Sequence, residues 1–94
     1  MTTPAQLLRE VRDRESFIAF VRALADERSR AEEIEKTEPK RYSVDGALNW
    51  KNADISSFLY AGLDCFTEKP LRPAEKEASW KAFAHFLYCG KIIE

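Results

Sequence analysis

Large apolar residues recur at helical spacing in two segments of the C-terminal half of the chain. The first segment runs from Ile55 to Phe66 and the second from Trp80 to Tyr88. Both follow the i, i+3, i+4, i+7 spacing that places large side chains on one face of an α-helix. We therefore predict two amphipathic helices whose apolar faces pack in the core. The predicted core positions are Ile55, Phe58, Leu59, Gly62, Leu63 and Phe66, followed by Trp80, Phe83, Ala84, Leu87 and Tyr88.

The N-terminal third of the chain predicts two more helices. Thr3 before Pro4 is a typical helix start, because Thr caps the first turn and Pro fits its first position. A short first helix is therefore expected within residues 1–13. Asp13 is expected either to end this helix or to cap the next one.

The second helix carries an apolar stripe that begins near Glu15 and thins after Leu24. Residues 26–36 are mostly charged but contain no Gly or Pro, so two interpretations stay open. Either the helix projects into solvent, or its last turns fray because little apolar area offsets the entropy of ordering. We favour a projecting helix that ends near Lys36, since Pro39 disfavours helical backbone at the residue before it.

A long connection, residues 37–50, follows the second helix. Its apolar residues alternate with polar ones around Asp45-Gly46, a dipeptide typical of a type I′ turn. Arms of about three residues are marginal on their own. The pattern therefore predicts either a short β-hairpin laid on the helices or an irregular loop anchored by its apolar side chains. These side chains are Tyr42, Val44, Leu48 and Trp50.

Cap residues and prolines set the limits of the third helix. Asn52 or Asp54 is expected to cap its start, and Trp50 is expected to act as a hydrophobic staple. The helix is expected to end near Thr67, before a short rigid connection through residues 70–73 that contains two prolines.

The fourth helix is expected to begin between Ala74 and Ser79. Gly90 is expected to end it in a left-handed conformation, with Cys89 as the last helical residue. Together these elements predict one domain over residues 1–94, because two domains of half this length would each be too small for a stable core. The predicted fold class is all-α or mainly α, a small four-helix domain.

Composition limits the partners that this protein can bind. The chain carries 15 basic and 16 acidic residues, for a net charge of −1. This balance argues against a nucleic-acid binder, since both small basic clusters are interleaved with acidic residues. No run of 18 apolar residues is present, so we expect no membrane span. The basic clusters are Lys36, Lys40 and Arg41, and Arg72 and Lys76.

The start of the chain lacks the basic and apolar blocks of a signal peptide. We therefore expect a cytoplasmic protein. In that compartment Cys65 and Cys89 are expected to stay reduced and to act as small hydrophobic residues at the margins of helices. A chain of this length needs neither a metal nor a disulfide to fold.

Short runs of aromatic and polar residues carry a resemblance to known sequences. These runs are Ser16-Phe17, Phe20, Trp50-Lys51-Asn52, Phe58-Leu59, Ala61, the segment 79–84 and the segment 91–94. With them the chain resembles, over residues 15–94, a family of small bacterial proteins catalogued as a domain of unknown function. The resemblance implies a mainly helical fold and a bacterial cytosol, and it brings no activity or catalytic residues. Similar sequences usually carry Tyr before the last Glu, where this chain has Ile93.

His85 and Cys89 are the first candidates for chemistry, because they lie four residues apart on the fourth helix. A tetrahedral zinc site needs four ligands, or three and a water, and only Cys65 and carboxylates remain to complete one. A Cys-His hydrolase also needs a pocket that stabilises an oxyanion, and nothing in the chain marks one. We therefore predict no catalytic, metal-binding or cofactor-binding residues, and we expect that the protein is not an enzyme.

Two aromatic residues lie off the predicted core faces. Tyr60 lies about 140° and Phe86 about 120° from the apolar centre of its own helix. Either the packed helices bury both rings, or the rings belong to a contact surface of the kind that protein interfaces favour. With the charged end of the second helix and the connection, they define a predicted protein-contact surface. Its residues are Glu32, Glu33, Glu35, Tyr42, Tyr60 and Phe86.

These observations together predict a non-catalytic protein-interaction module of the bacterial cytoplasm, with an unidentified protein or a second copy as its partner. One concrete version is an immunity- or antitoxin-like protein that docks by charge complementarity. A self-associating structural protein with no outside partner is the alternative. A third hypothesis is a minor enzyme or metal protein that uses His85, Cys89 and Cys65.

Overall fold

A computed structural model of the chain describes residues 2–67 and 77–93. This part of the chain is mainly helical and contains no strand, which confirms the predicted fold class. The predicted connection through residues 70–73 lies outside the described residues, as do Arg72 and Lys76. The described helices are α1 Pro4–Glu10, α2 Arg14–Thr37, α3 Ile55–Thr67 and α4 Trp80–Ile92.

Capping boxes fix the starts of the first two helices. The Thr3 side chain accepts a hydrogen bond from the backbone of Gln6, and the Gln6 side chain accepts one from the backbone of Thr3. Asp13 and Ser16 make the same reciprocal pair at the start of α2. Each pair satisfies two backbone N–H groups that the first turn leaves without helical partners. The predicted start of α1 is confirmed, and Asp13 caps α2.

The charged half of α2 stays helical to Thr37, one residue beyond the predicted end. It does not project freely into solvent, because the connection folds back onto it. Ala31 is completely buried, and Ile34 packs against the core. The carboxylate of Glu35 accepts a hydrogen bond of 2.8 Å from the backbone N–H of Ala47. These contacts offset the ordering entropy that a bare charged helix would lose.

The turn in the connection lies three residues later than predicted. Leu48 and Asn49 have positive φ angles of 56° and 66°, and the Trp50 N–H donates to the carbonyl of Ala47 over 3.2 Å. Two successive positive φ angles are typical of a type I′ turn, and Asn tolerates them well. The β-hairpin predicted around residues 45–46 is absent from residues 37–50. The connection is the irregular loop that was the other predicted form. Of its four predicted anchors, Tyr42 and Trp50 pack inward, whereas Val44 and Leu48 are 89% and 41% exposed and do not anchor it.

Helix α4 packs against each of the other three described helices. On its α3 side, two glycines allow close approach. A Cβ atom at Gly90 would lie 2.9 Å from the ring of Phe58, and one at Gly62 would lie 3.0 Å from the ring of Phe86. Gly90 therefore lies inside α4 as a packing residue. Its predicted role as a left-handed helix end is wrong, since α4 continues to Ile92.

On its other sides, α4 contacts α2 and α1. The Phe17 ring lies 5.2 Å from the ring of Trp80 and 6.4 Å from that of Phe83, between ring centroids. The ammonium of Lys81 donates to the Leu8 carbonyl over 2.5 Å. The buried core is formed by side chains of α1, α2, α4 and the segments that connect the helices. Its residues are Leu8, Val11, Phe20, Leu24, Ala31, Ala47, Trp50 and Ala84.

A disulfide joins α3 to α4 through Cys65 and Cys89, whose Cα atoms are 6.3 Å apart. This separation lies in the range that a disulfide can span. The prediction that both cysteines are reduced is therefore wrong for this structure. The reason is that both cysteines lie on the faces by which α3 and α4 contact each other, rather than at unrelated helix margins.

Candidate interaction surface

Three large apolar side chains of α3 are exposed on one side of that helix. Ile55 is 80% exposed, Leu59 is 46% exposed and Leu63 is 48% exposed. They lie at i, i+4 and i+8, so they form one continuous line along the helix, which we call the α3 stripe. All three were predicted to pack in the core, and that prediction is wrong.

The stripe is exposed because α3 packs on α4 through a different face. The residues of α3 buried at that contact are Ala61 and Gly62, with Phe58 packed beside them. Small side chains let two helix backbones approach closely. The close packing therefore rotates the larger residues of the stripe away from α4.

An open groove borders the stripe between α2 and α3. It has a volume of about 410 Å³. Val21 and Ala25 line its α2 wall, Ile55 and Leu59 line its α3 wall, and Leu87 of α4 also lines it. The lining is mostly apolar, which is the common character of sites that bind an apolar group from another molecule.

Arg28 is a cationic residue in the lining of the groove. Its Nη2 atom lies 2.5 Å from the carboxylate of Glu35, and its guanidinium lies 5.3 Å from the centre of the Trp50 ring. The Nη1 atom is buried and has no hydrogen-bond partner among the described residues. The ion pair and the ring therefore hold this cation in a fixed position beside the apolar lining.

Asp54 lies in the groove lining at the start of α3. Its carboxylate accepts hydrogen bonds from the backbone N–H of Ser57 over 3.0 Å and from the hydroxyl of Ser56 over 2.8 Å. These bonds favour the charged form and lower the pKa of Asp54 to about 2. The cap of α3 is therefore an ionised carboxylate at neutral pH, and Asp54 rather than Asn52 provides it.

Asn52 instead fastens the connection to the end of α4. Its side-chain amide donates to the carbonyls of Gly90 over 2.9 Å and of Ile93 over 2.5 Å. The carbonyls at a helix C-terminus lack helical donors, so this amide supplies the missing hydrogen bonds. The predicted role of Asn52 as the cap of α3 is corrected accordingly.

Trp50 is buried and joins three parts of the fold beside the groove. Its indole N–H donates to Glu27 of α2 over 3.0 Å, and its ring stacks on Phe58 of α3 at 6.1 Å between centroids. Lys91 of α4 lies 5.7 Å from the ring centre. Trp50 therefore does more than staple one helix start, because it holds α2, α3 and α4 around the groove.

The predicted protein-contact residues divide into two groups. Tyr60 is 68% exposed, and Glu32 and Glu33 lie exposed beside Lys36. The other three, Glu35, Tyr42 and Phe86, are partly buried and held by internal contacts.

The internal contacts of that second group are specific. Glu35 pairs with Arg28, and Tyr42 packs against the core. Phe86 meets the ring of Phe66 edge-on, with 5.5 Å between centroids. The structure thus leaves Tyr60 near the α3 stripe and places Glu32 and Glu33 on a separate charged surface.

Two of the three candidate residues for chemistry are joined to each other in a disulfide. Cys89 is buried and bonded to Cys65, while His85 is half-buried on α4. Within residues 2–67 and 77–93, no three His, Cys, Asp or Glu side chains lie close enough together to hold a metal ion. Across the same residues, no helix combines the length and apolar character that crossing a bilayer requires.

Comparisons with known proteins add no relative. No family model, no curated protein and no solved structure matches this chain.

Proposed function

We propose that this protein is a non-catalytic interaction module that binds an apolar helix of a partner protein against the α3 stripe and the adjoining groove. The observation that carries this proposal is the exposure of Ile55, Leu59 and Leu63 in one line. Monomeric proteins rarely expose a continuous apolar surface, and such surfaces commonly mark interaction sites. Helices that bind in grooves present apolar side chains at i, i+3, i+4 and i+7, which suits a site of this shape.

The surroundings of the groove support binding without a large rearrangement. Trp50 and its partners fix α2, α3 and α4 relative to one another, so the walls of the groove exist before a partner arrives. A preformed site loses less conformational entropy on binding. Arg28 and Asp54 add one positive and one negative group to the lining, and both are held in place by contacts within the chain.

The proposed setting is the bacterial cytoplasm, as the resemblance to the family of small helical proteins implies, and in that setting the Cys65–Cys89 disulfide would have to withstand reducing conditions. Membership of that family is itself part of the proposal. The immunity- or antitoxin-like version stays a hypothesis within it. In that version the partner covers the α3 stripe and also reaches the separate charged surface, where Glu32 and Glu33 contribute charge complementarity.

The proposal is tested by affinity capture with three baits prepared from the same host. The wild-type chain is compared with Leu59→Glu, which places a charge in the α3 stripe, and with Val44→Glu. Val44 is 89% exposed in the connection, so Val44→Glu makes the same chemical change away from the stripe. We expect the wild type and Val44→Glu to retain the same protein, and Leu59→Glu to lose it.

Two outcomes of this capture would count against the proposal. One is an identical set of proteins on all three baits. The other is loss of the partner only when Glu32 and Glu33 are changed to Lys, which would assign binding to the charged surface. Circular dichroism of each bait confirms that the helices are intact, as expected for substitutions at exposed positions.

A further inference from the structure

Resting on the proposed function, we infer that the apolar helix bound at this surface is α3 of a second copy of the chain. The two copies form a symmetric dimer in which the α3 stripe of each contacts that of the other. A two-fold interface requires a surface that is complementary to itself. The α3 stripe meets this requirement, because it supplies both an apolar line and the wall of an apolar groove.

The exposed side chains of α3 support a partner of this kind. Ile55, Leu59 and Leu63 are 80%, 46% and 48% exposed, and Tyr60 beside them is 68% exposed. A second copy would cover the same four side chains on both chains at once, as a two-fold interface requires.

The charges of α3 favour a second copy over a charged partner. Among the thirteen residues of α3, Asp64 is the only charged one. Exposed helices of monomers normally carry charges on their solvent side, as the outer side of α2 does with Glu32, Glu33 and Lys36. Two copies of α3 can therefore approach without placing several like charges together, and the net charge of −1 adds little repulsion between whole chains.

The spacing of the α3 stripe indicates how the two helices cross. Leu59 lies at its centre, four residues from both Ile55 and Leu63. In an antiparallel pair centred on the two-fold axis, Leu59 meets Leu59 of the other copy and Ile55 meets Leu63. Tyr60 lies beside this contact and supplies an aromatic ring, a type of side chain in which protein interfaces are enriched.

Sedimentation equilibrium of the purified full chain tests this arrangement. We expect the wild type to have twice the mass of the 10.8 kDa chain at micromolar concentration. Leu59→Glu should weaken association by at least about 100-fold, because an unpaired charge would be buried at the two-fold axis. Val44→Glu should remain dimeric. A mixture of Leu59→Glu and Leu59→Lys should recover the dimer mass, since opposite charges then face each other at the centre.

The outcomes separate this inference from the proposed function. A wild-type chain that stays monomeric at all concentrations overturns the dimer, and if Leu59→Glu still loses a captured protein, the interaction module stands with a foreign partner. A wild-type dimer whose mass is unchanged by Leu59→Glu overturns the α3 contact. A mixture of the Glu and Lys variants that stays monomeric overturns the antiparallel crossing at Leu59.

Discussion

The ammonium of Lys91 lies 2.5 Å from the carboxylate of Glu27, and their side chains are only 7% and 12% exposed. The same carboxylate oxygen accepts the indole N–H of Trp50. The Oε1 atom of Glu27, on α2, therefore binds both Lys91 of α4 and Trp50 of the connection. Buried charges are tolerated where each has a partner, and loss of one partner leaves the other unpaired in a poorly solvated site.

We predict that Lys91→Met lowers the free energy of unfolding by about 3 kcal/mol, since it leaves the Glu27 carboxylate buried without its cation. The double variant Glu27→Gln with Lys91→Met should be more stable than Lys91→Met alone, because it removes the unpaired charge and keeps an acceptor for Trp50. Urea denaturation of the single and double variants measures both values.

Lys36→Met is the matched control for that experiment. Lys36 pairs with Glu32 and Glu33 on the exposed side of α2, with its side chain 63% exposed. Exposed ion pairs contribute less than about 1 kcal/mol. Equal losses for Lys91→Met and Lys36→Met would contradict the importance of the buried pair.

We predict that Gly90→Ala destabilises the protein by about 1–2 kcal/mol, although Ala favours helices more than Gly does. The added Cβ would lie 2.9 Å from the Phe58 ring, which is itself stacked on Trp50 and has little room to move. Adding Phe58→Leu to Gly90→Ala should reduce the penalty of the glycine substitution. A melting temperature that rises in Gly90→Ala would show that this contact is looser than described.

Reduction of the disulfide should lower stability by about 3 kcal/mol, because the bond closes a loop between residues 24 apart in the chain. Thermal unfolding with and without a thiol reductant measures the difference. The double variant Cys65→Ser with Cys89→Ser is the control, and its melting temperature should not respond to the reductant. An equal response in both proteins would mean that the reductant acts elsewhere.

The cap of α3 should give stability a defined dependence on acid pH. The pKa of Asp54 is lowered from 3.8 to about 2 by the Ser57 backbone N–H and the Ser56 hydroxyl. A lowered pKa means that the stabilisation is complete above the unfolded value of 3.8 and is lost as pH falls through about 2. We therefore predict that Asp54→Asn melts below the wild type at pH 6, and that the difference disappears near pH 2.

One result of the comparison between the wild type and Asp54→Asn would contradict the role of the Asp54 charge. A difference in melting temperature that stays constant from pH 6 to pH 2 would show that the charge of Asp54 does not contribute to the cap. Asn keeps an acceptor oxygen and is itself a good cap residue, so the comparison isolates the charge.

Local sequence signals predicted most of the helix boundaries, because caps and prolines act over a few residues. They placed the end of α4 at Cys89, however, whereas α4 continues to Ile92. Thr3 with Pro4 and Pro39 each marked a boundary that the structure confirms to within one residue or two. Asp13 marked the junction between α1 and α2, where the sequence left its role open and the structure makes it a cap.

Tertiary contacts were harder to predict, because they depend on how helices turn toward one another. The apolar residues of α3 extend around most of the helix, so spacing alone could not show which side meets α4. The small residues Ala61 and Gly62 determine which side of α3 meets α4, because they let the two helix backbones approach closely. The near absence of charge in α3 was a visible signal, but it fits a buried helix as well as an interface. Nothing local predicted that Asn52 bonds to the end of α4.

Hydroxyl-radical footprinting as a function of protein concentration tests the central claim most directly, because it reports whether the α3 stripe is covered in solution. Val44 serves as an internal reference, because it lies in the connection, away from the α3 stripe, and its side chain is more exposed than those of Ile55, Leu59 and Leu63. We predict that oxidation of Ile55, Leu59 and Leu63 falls relative to Val44 as concentration rises from nanomolar to micromolar. If the oxidation of these residues relative to Val44 is the same at every concentration, and also with host lysate added, the α3 stripe is not an interaction surface.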